Sequence, residues 1–364
     1  MQTVHVLIRM CTVKNRNRRV VYTLYTMKNK KYFIGLDVHK EKTTHVVRDR
    51  IGNIVLEGET ATIYDELYER IKSYLKSSVI GIEACTSYYT LYQQFLKNGC
   101  DIKVANTLQL RQLISKNDPF DARRLAEMLR LGTFPCSYIP DEKIQHLRSL
   151  VQVRHNLMEE KNRCNNRIQA FLDRNGVVMP SQKAFGKEWR RALMQYMGSG
   201  DVSLEMRYEY DHFEYLEKRK EQLDQEIQGY TRKYWPIDFQ LLQSITGFGP
   251  VLSCYIIAHV FPISRFDSNR KLRRYAGVIP IFKESGGKKS KGHIPKTSSR
   301  KQLRWALIQA ANSAGKTNTK LGRYYQKKKK QKDNAGIAHV AVASSMIDII
   351  YKVLTTRKPY DARC

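Results

Sequence analysis

Apolar and polar residues follow three successive patterns along this chain. KYFIGLDVHKEKTTHVVRDRIGNIVLEGE alternates with a short period. It reads as three strands, about 32–38, 43–49 and 53–59, with Gly52-Asn53 marking the second turn. Residues 62–76 carry a helical pattern, SSVIGIEA (77–84) is the apolar run of a buried strand, 88–99 is a second helix and CDIKVAN (100–106) a further strand. Two helices follow, about 107–116 and 118–131.

The second pattern is heptad-like. Leu150, Leu157, Cys164 and Phe171 stand seven apart, as do Leu216, Leu223 and Tyr230, with charged residues between. Two long amphipathic helices around an irregular 175–200 segment predict an antiparallel coiled-coil hairpin, and a plain helical subdomain fits the same pattern. Either serves as a spacer or a dimerisation arm. The third pattern begins near 237 with LLQSITGFGPVLSCYIIAHV. Its Gly247-Phe248-Gly249-Pro250 turn resembles a helix-hairpin-helix turn, which offers backbone N–H groups to a phosphate. An ordinary interhelical turn fits equally. Then come KLRRYAGVIP, a Gly/Lys-rich loop ESGGKKSKGHIPKTSSRK (284–301), the helix QLRWALIQAANSA, a KKKKQK run (327–332) expected to be a linker, and a final apolar helix, about 337–355.

The resulting organisation is a basic N-terminal extension (1–30), an α/β domain (31–135), a helical coiled-coil connector (141–235) and a mainly α-helical C-terminal domain (236–364). In the α/β domain the order β-β-β-α-β-α-β-α, a meander followed by crossover strands, predicts a mixed sheet flanked by helices. This is the ribonuclease H-like order. Met27 opens MKNKKYFIGLDVHK, so residues 1–26 are expected to be disordered or to precede the true start, and to be dispensable.

Charge narrows the function. Lys and Arg total 64 against 34 Asp and Glu, a net +30, and 42% apolar content supports real cores. Such a surplus points to a polyanionic partner, above all nucleic acid. No apolar run approaches the length of a spanning helix; the longest, VLSCYIIAHVF (251–261), reads as a buried helix. The N-terminus carries no signal-peptide pattern. Seven scattered cysteines without zinc spacing suggest reduced thiols in a cytoplasmic protein.

Against this basic background the acids stand out. KNDPFDARRLAEMLR (116–130) places Asp118 and Asp121 at a helix start. One reading is helix chemistry, with Asp118 as N-cap, Pro119 at the first position and Asp121 in the first turn. The other is a metal site. Asp37 lies inside the first apolar strand, where an unpaired carboxylate costs several kcal/mol. Glu83 ends the next buried strand. In a ribonuclease H-like order these strands are neighbours, and Asp118 and Asp121 share one helical face. Four converging carboxylates suit a hard divalent cation, and Mg²⁺ suits phosphoryl transfer, with two ions about 4 Å apart able to activate a nucleophile and stabilise a leaving oxygen.

GLDVHK, GIEACTSYY and K-x-D-x-x-D-A (here KNDPFDA) together resemble the DEDD-type, RuvC-like domain of the insertion sequence 110 family of transposases, to which Piv-type invertases are related. The C-terminal half is similar too: a GFGP turn, FDSNRKLRRYAGVIP, and an SGGK loop before LRWAL, so the resemblance spans about 32–325. Two departures occur: Thr297 and Ser298 stand where the loop usually has Gly-Asn, and Asn117 stands where Thr is common.

The resemblance implies a prokaryotic, cytoplasmic recombinase that moves its own element, with a structured guide RNA pairing to donor and target DNA. It also implies a homo-oligomer, dimer or tetramer, and no membrane. It further implies a serine nucleophile, which falls on Ser285, and it leaves Lys283, Lys288, Lys289 and Lys291 to neutralise the scissile phosphate. On chemistry alone Ser285 is one of several serines in a basic loop. A hydrolytic RuvC-like nuclease without serine chemistry would also use the four acids. A non-enzymatic nucleic-acid binder would explain the charge alone.

Overall fold

The computed structural model describes residues 9–15, 18–24, 29–85, 87–107, 109–110, 121–180, 185–199, 202–279, 284–285, 288–289 and 300–361; for 9–15, 18–24, 284–285 and 288–289 the description is of the backbone. The chain divides into two compact units, Met1–Ile139 and Pro140–Cys364.

In the first unit β1 (Arg9–Asn15) and β2 (Arg18–Leu24) form an antiparallel hairpin. For 9–15 and 18–24 this corrects the expectation of disorder. The β-branched residues Thr12, Val13, Val20, Val21 and Thr23 favour extended backbone, and pairing supplies the hydrogen bonds that a lone strand lacks.

The main sheet contains β3 (Tyr32–Val38), β4 (Lys42–Arg48), β5 (Ile54–Ala61), β6 (Ser78–Glu83) and β7 (Ile102–Ala105), in the spatial order β5-β4-β3-β6-β7. The meander is antiparallel, and β3, β6 and β7 run parallel. This mixed sheet is compatible with the ribonuclease H-like order. Its two faces bury different sets. Ile34, Leu36, Ile80 and Ile82 pack with Leu67 and Ile71 of α1 (Tyr64–Leu75) and with Leu91 and Phe95 of α2 (Tyr88–Lys97). Phe33 and Val79 point the other way, onto Leu125 and Leu129 of α3 (Ala122–Arg130). Burial on both faces is why these strands read as unbroken apolar runs.

The expected helix from 118 starts later. Asp121 is extended (φ −125°, ψ 164°) and is the N-cap of α3, so it does not sit in a first turn. Asp118 and Pro119, and most of the expected 107–116 helix, lie outside the described residues.

The second unit is mostly helical: α4 (Glu142–Arg174), α5 (Lys187–Gly198), α6 (Leu204–Tyr234), α7 (Pro236–Gln243), α8 (Pro250–Val260), α9 (Asn269–Ala276), the two-residue strands β8 (Glu284–Ser285) and β9 (Lys288–Lys289), α10 (Lys301–Ala314), α11 (Lys320–Lys332) and α12 (Ala335–Thr356). α4 and α6 run antiparallel, joined by Arg174–Glu205 at 3.2 Å, Arg167–Glu209 at 2.6 Å, Lys161–Glu217 at 2.5 Å and Arg154–Asp224.

Cys164 and Phe171 are buried in α4, whereas Leu150 and Leu157 are only half-buried; the buried stripe runs Ile144, Leu147, Val151, Arg154, Cys164, Ile168. Ile144, Leu147, Val151 and Arg154 alternate three and four apart, a heptad spacing in a different register from the Leu150–Leu157 line. Further along, Cys164, Ile168 and Phe171 take over the contact face, the drift expected of a 3.6-residue helix against a 3.5-residue repeat.

α8 is apolar all round, and every residue from Ser253 to Val260 is buried. Two further expectations are corrected here. KKKKQK lies within α11, not in a linker: Thr319 caps the start, and lysines in the last turn suit the negative end of the helix. α12 is long and apolar enough by composition to cross a membrane, which residue runs alone did not reveal. One face of it, including Val342, Met346, Ile350 and Leu354, packs into the core of the unit.

Candidate active site

β3 and β6 are in parallel register, with Gly35 opposite Gly81 and Leu36 opposite Ile82. One further step sets Asp37 beside Glu83. Side chains alternate along a strand, so both share a face with Gly35 and Gly81. That face is the one α3 covers. Two glycines side by side let it approach: a Cβ on Gly35 would lie 2.7 Å from the Ala126 nitrogen, and one on Gly81 2.8 Å from Leu129 Cδ1. Ala122 sits over Gly35 while Leu125 and Leu129 cluster with Phe33, so α3 runs opposite to β3. Its N-terminus therefore points toward the strand end that carries Asp37. The positive end of the helix favours carboxylates there.

The three described acids are held differently. Asp37 is 19% exposed and lies 3.3 Å from His39 Nε2. Glu83 is half-buried at the end of β6. Asp121 accepts a 2.8 Å hydrogen bond from the Arg124 N–H. Acids around the flank of α3 are already neutralised. Arg123 binds both oxygens of Glu57 (2.6 and 2.8 Å), Arg130 grips Glu127, and these partners hold both carboxyls below the usual range.

Among the described residues no three His, Cys, Asp or Glu side chains form a metal-holding group. The donor set at this end of the sheet is nonetheless carboxylate oxygen on one shared face, which fits a hard divalent cation. His39 was missed as a neighbour of Asp37. The signal was its i+2 spacing in GLDVHK, which returns a side chain to the same side of an extended chain.

The Gly/Lys loop is described only in part. Ser285 pairs with Lys288, and Glu284 with Lys289, across the β8–β9 ladder. Lys283 and Lys291 lie outside the described residues, as do the side chains of Ser285, Lys288 and Lys289. In the GFGP turn Gly247 has φ +96°, and a Cβ there would stand 2.3 Å from the Ala310 carbonyl oxygen. Gly247 thus serves a close approach to α10. Gly249 is exposed and is the N-cap of α8.

Comparison with known proteins gives these features a family. The DEDD domain of IS110-type proteins, described as a transposase, matches residues 34–176, and the transposase IS116/IS110/IS902 family matches 239–326. Together these segments make up more than half of the chain. A DEDD transposase domain implies a divalent metal ion. The chain is 24% identical over 345 residues to the transposase for insertion sequence element IS1111A of Coxiella burnetii, with 91% of each chain covered. It is 24% identical over 289 residues to the putative transposase y4qE of Sinorhizobium fredii (77% of this chain, 70% of that one). To the transposase for insertion sequence element IS1328 of Yersinia enterocolitica it is 22% identical over 283 residues, covering 76% of this chain and 82% of that relative. Two family matches in chain order, one over the acidic α/β segment and one over the GFGP-to-α11 segment, leave one assignment: this chain belongs to the IS116/IS110/IS902 family of transposases and is an enzyme of that class.

Proposed function

We propose that the chain cuts and rejoins DNA at the ends of its insertion sequence, guided by a structured RNA that pairs with donor and target. Asp37, Glu83, Asp118 and Asp121 hold Mg²⁺, which when bound supplies charge neutralisation at the reacting phosphate. Ser285 is the nucleophile. Its Oγ bonds to phosphorus as the bond from phosphorus to the leaving strand's sugar oxygen breaks; the hydroxyl proton leaves and the departing oxygen takes one up. Lys283, Lys288, Lys289 and Lys291 neutralise the phosphate, and the Gly247–Gly249 turn offers backbone N–H groups to DNA.

The reading divides the chain into a RuvC-like domain (31–135), a coiled-coil arm (141–235) that brings partner chains into a dimer or tetramer, and the serine domain (236–364). The observation that supports it is the β3–β6 register, with Leu36 opposite Ile82, after which the next residues along the two strands are Asp37 and Glu83. The surplus of 30 positive charges supports nucleic-acid partners. Five described cysteines are free thiols, in keeping with a cytoplasmic protein.

The test is adduct trapping on a labelled DNA end, with sequencing of any RNA that co-purifies. Ser285→Ala is expected to bind DNA and RNA and to form no covalent protein–DNA adduct. Ser290→Ala, Ser298→Ala and Ser299→Ala still form it. An adduct mapped to Ser298 or Ser299 overturns the serine assignment, and cleavage with no adduct in the unaltered chain overturns serine chemistry in favour of hydrolysis.

A further inference from the structure

We infer that a groove beside the α11–α12 pair binds an unstacked base of single-stranded nucleic acid. The inference rests on the reading that this chain handles nucleic acid, and it concerns a surface far along the sequence from the acids and from Ser285. The groove has a volume of about 890 Å³. Its floor is apolar, with Ile349 and Val353 of α12; aromatic rings of Tyr324 and Tyr360 line it, and Lys320, Lys352 and Lys358 stand among its walls. Rings and an apolar floor suit the face of a base, and ammonium groups suit the phosphates on either side of it.

The walls are fixed. Arg357 ion-pairs with Asp238, which is only 4% exposed, and the Tyr360 N–H donates to Ser244 Oγ at 2.8 Å. These contacts tie the segment after α12 to α7 and its end. Tyr324 packs against the core of the unit, with Lys328 one turn on at 5.7 Å from its ring centroid. Lys320, Tyr324 and Lys328 thus form one stripe at helical spacing, and the lysines of α11 extend it as a track for further phosphates.

The aliphatic hydroxyls of Ser345 and Thr356 in the lining are already spent: Ser345 donates to the Ala341 carbonyl and Thr356 to the Lys352 carbonyl. Few groups remain to read a base edge, so stacking dominates and sequence preference is weak. Asp361, the one acid among the described lining residues, sets the phosphates toward the lysine side. An acidic peptide would also meet the lysines, but the flat rings and the net +30 charge favour nucleic acid.

The experiment titrates the full chain into twelve-nucleotide single strands, DNA and RNA, with 2-aminopurine at one internal position. Quenching on binding is expected, and Tyr324→Leu weakens binding about tenfold while Tyr324→Phe preserves it. Lys352→Ala and Lys358→Ala, on exposed side chains, each lower the salt slope by about 0.7. Stronger quenching in the DNA or in the RNA arm identifies the natural strand.

Four results overturn the inference: an unchanged Tyr324→Leu variant with normal melting, equal weakening on blunt duplex, absence of quenching, or loss of self-association in Tyr324→Leu, which would assign the groove to a second copy of the chain. If the unaltered chain binds no nucleic acid, the functional reading fails with it. If it binds and traps the Ser285 adduct while Tyr324 proves silent, only the groove is wrong.

Discussion

A Cβ atom on Gly35 would stand 1.9 Å from the carbonyl oxygen of Ala122, the first residue of α3. The sheet and the helix that carries Asp121 therefore meet backbone to backbone. Gly35→Ala must push α3 away, and overpacking of this kind costs about 1–3 kcal/mol. Gly81→Ala meets side-chain atoms of Phe134 and Leu129 at 2.7 and 2.8 Å, which rotate more readily than backbone. The expected order in urea denaturation is Gly35→Ala least stable, then Gly81→Ala, then the unaltered chain. DNA cleavage falls most in Gly35→Ala.

The acids are separated by substitutions that keep shape. Asp37→Asn and Glu83→Gln are expected to abolish strand cleavage with folding and nucleic-acid binding retained. Asp121 offers a sharper split. Asn caps a helix as well as Asp, so Asp121→Asn keeps stability and loses cleavage, whereas Asp121→Ala also loses about 1 kcal/mol with its cap. Full activity in any two of the three isosteric variants in Mg²⁺ removes the metal-site reading.

Arg154 and Asp224 lie between the two apolar ends of the α4–α6 hairpin, with side chains 7% and 16% exposed. Removing one partner strands the other. Asp224→Asn is expected to cost on the order of 3 kcal/mol, while Arg154→Met with Asp224→Leu together restores most of it. Chemical denaturation of the two variants side by side measures this; equal loss in both would mean that the pair itself, not the stranded charge, sets stability.

His259 gives a pH dependence. Burial, with Arg148, Arg300 and Arg265 nearby, pushes it down to about 3, against the opposing hydrogen bond to Gln302. Its Nε2–H donates to Gln302 Oε1 at 3.0 Å, and the Gln302 amide donates to Gln152 Oε1 at 2.6 Å. The neutral ring is required in the fold, while the unfolded chain takes up a proton below the ordinary value of 6.5. Stability from this site is complete above that value and is lost progressively as pH falls toward about 3. The slope is up to ~1.4 kcal/mol per unit. Between pH 7 and pH 5 roughly 2 kcal/mol should disappear, and His259→Gln should flatten that part of the curve. An unchanged slope in the variant would refute the assignment.

The sequence by itself determined what local chemistry dictates. The apolar runs at 32–38 and 77–84 name the two central strands, and a carboxylate in each marks Asp37 and Glu83, because a charge inside such a run needs a compensating partner. The mostly apolar stretch at 251–261 names a buried helix for the same reason of solvation. Tertiary structure decided what depends on a distant neighbour. Asp118 and Asp121 are equally good caps by residue type, and the cap is Asp121 because α3 begins where Ala122 meets Gly35. A lysine run is neutral between linker and helix until Thr319 caps it and Leu321 and Tyr325 find a core. Gly247 reads as a phosphate turn by its spacing, and only the fold shows that its missing side chain also makes room for the Ala310 carbonyl. Periodicity records which side of a chain is greasy, whereas the partner that covers it, and the exact residue at which an element starts, follow from contacts between residues far apart in sequence, as Gly35 and Ala122 are.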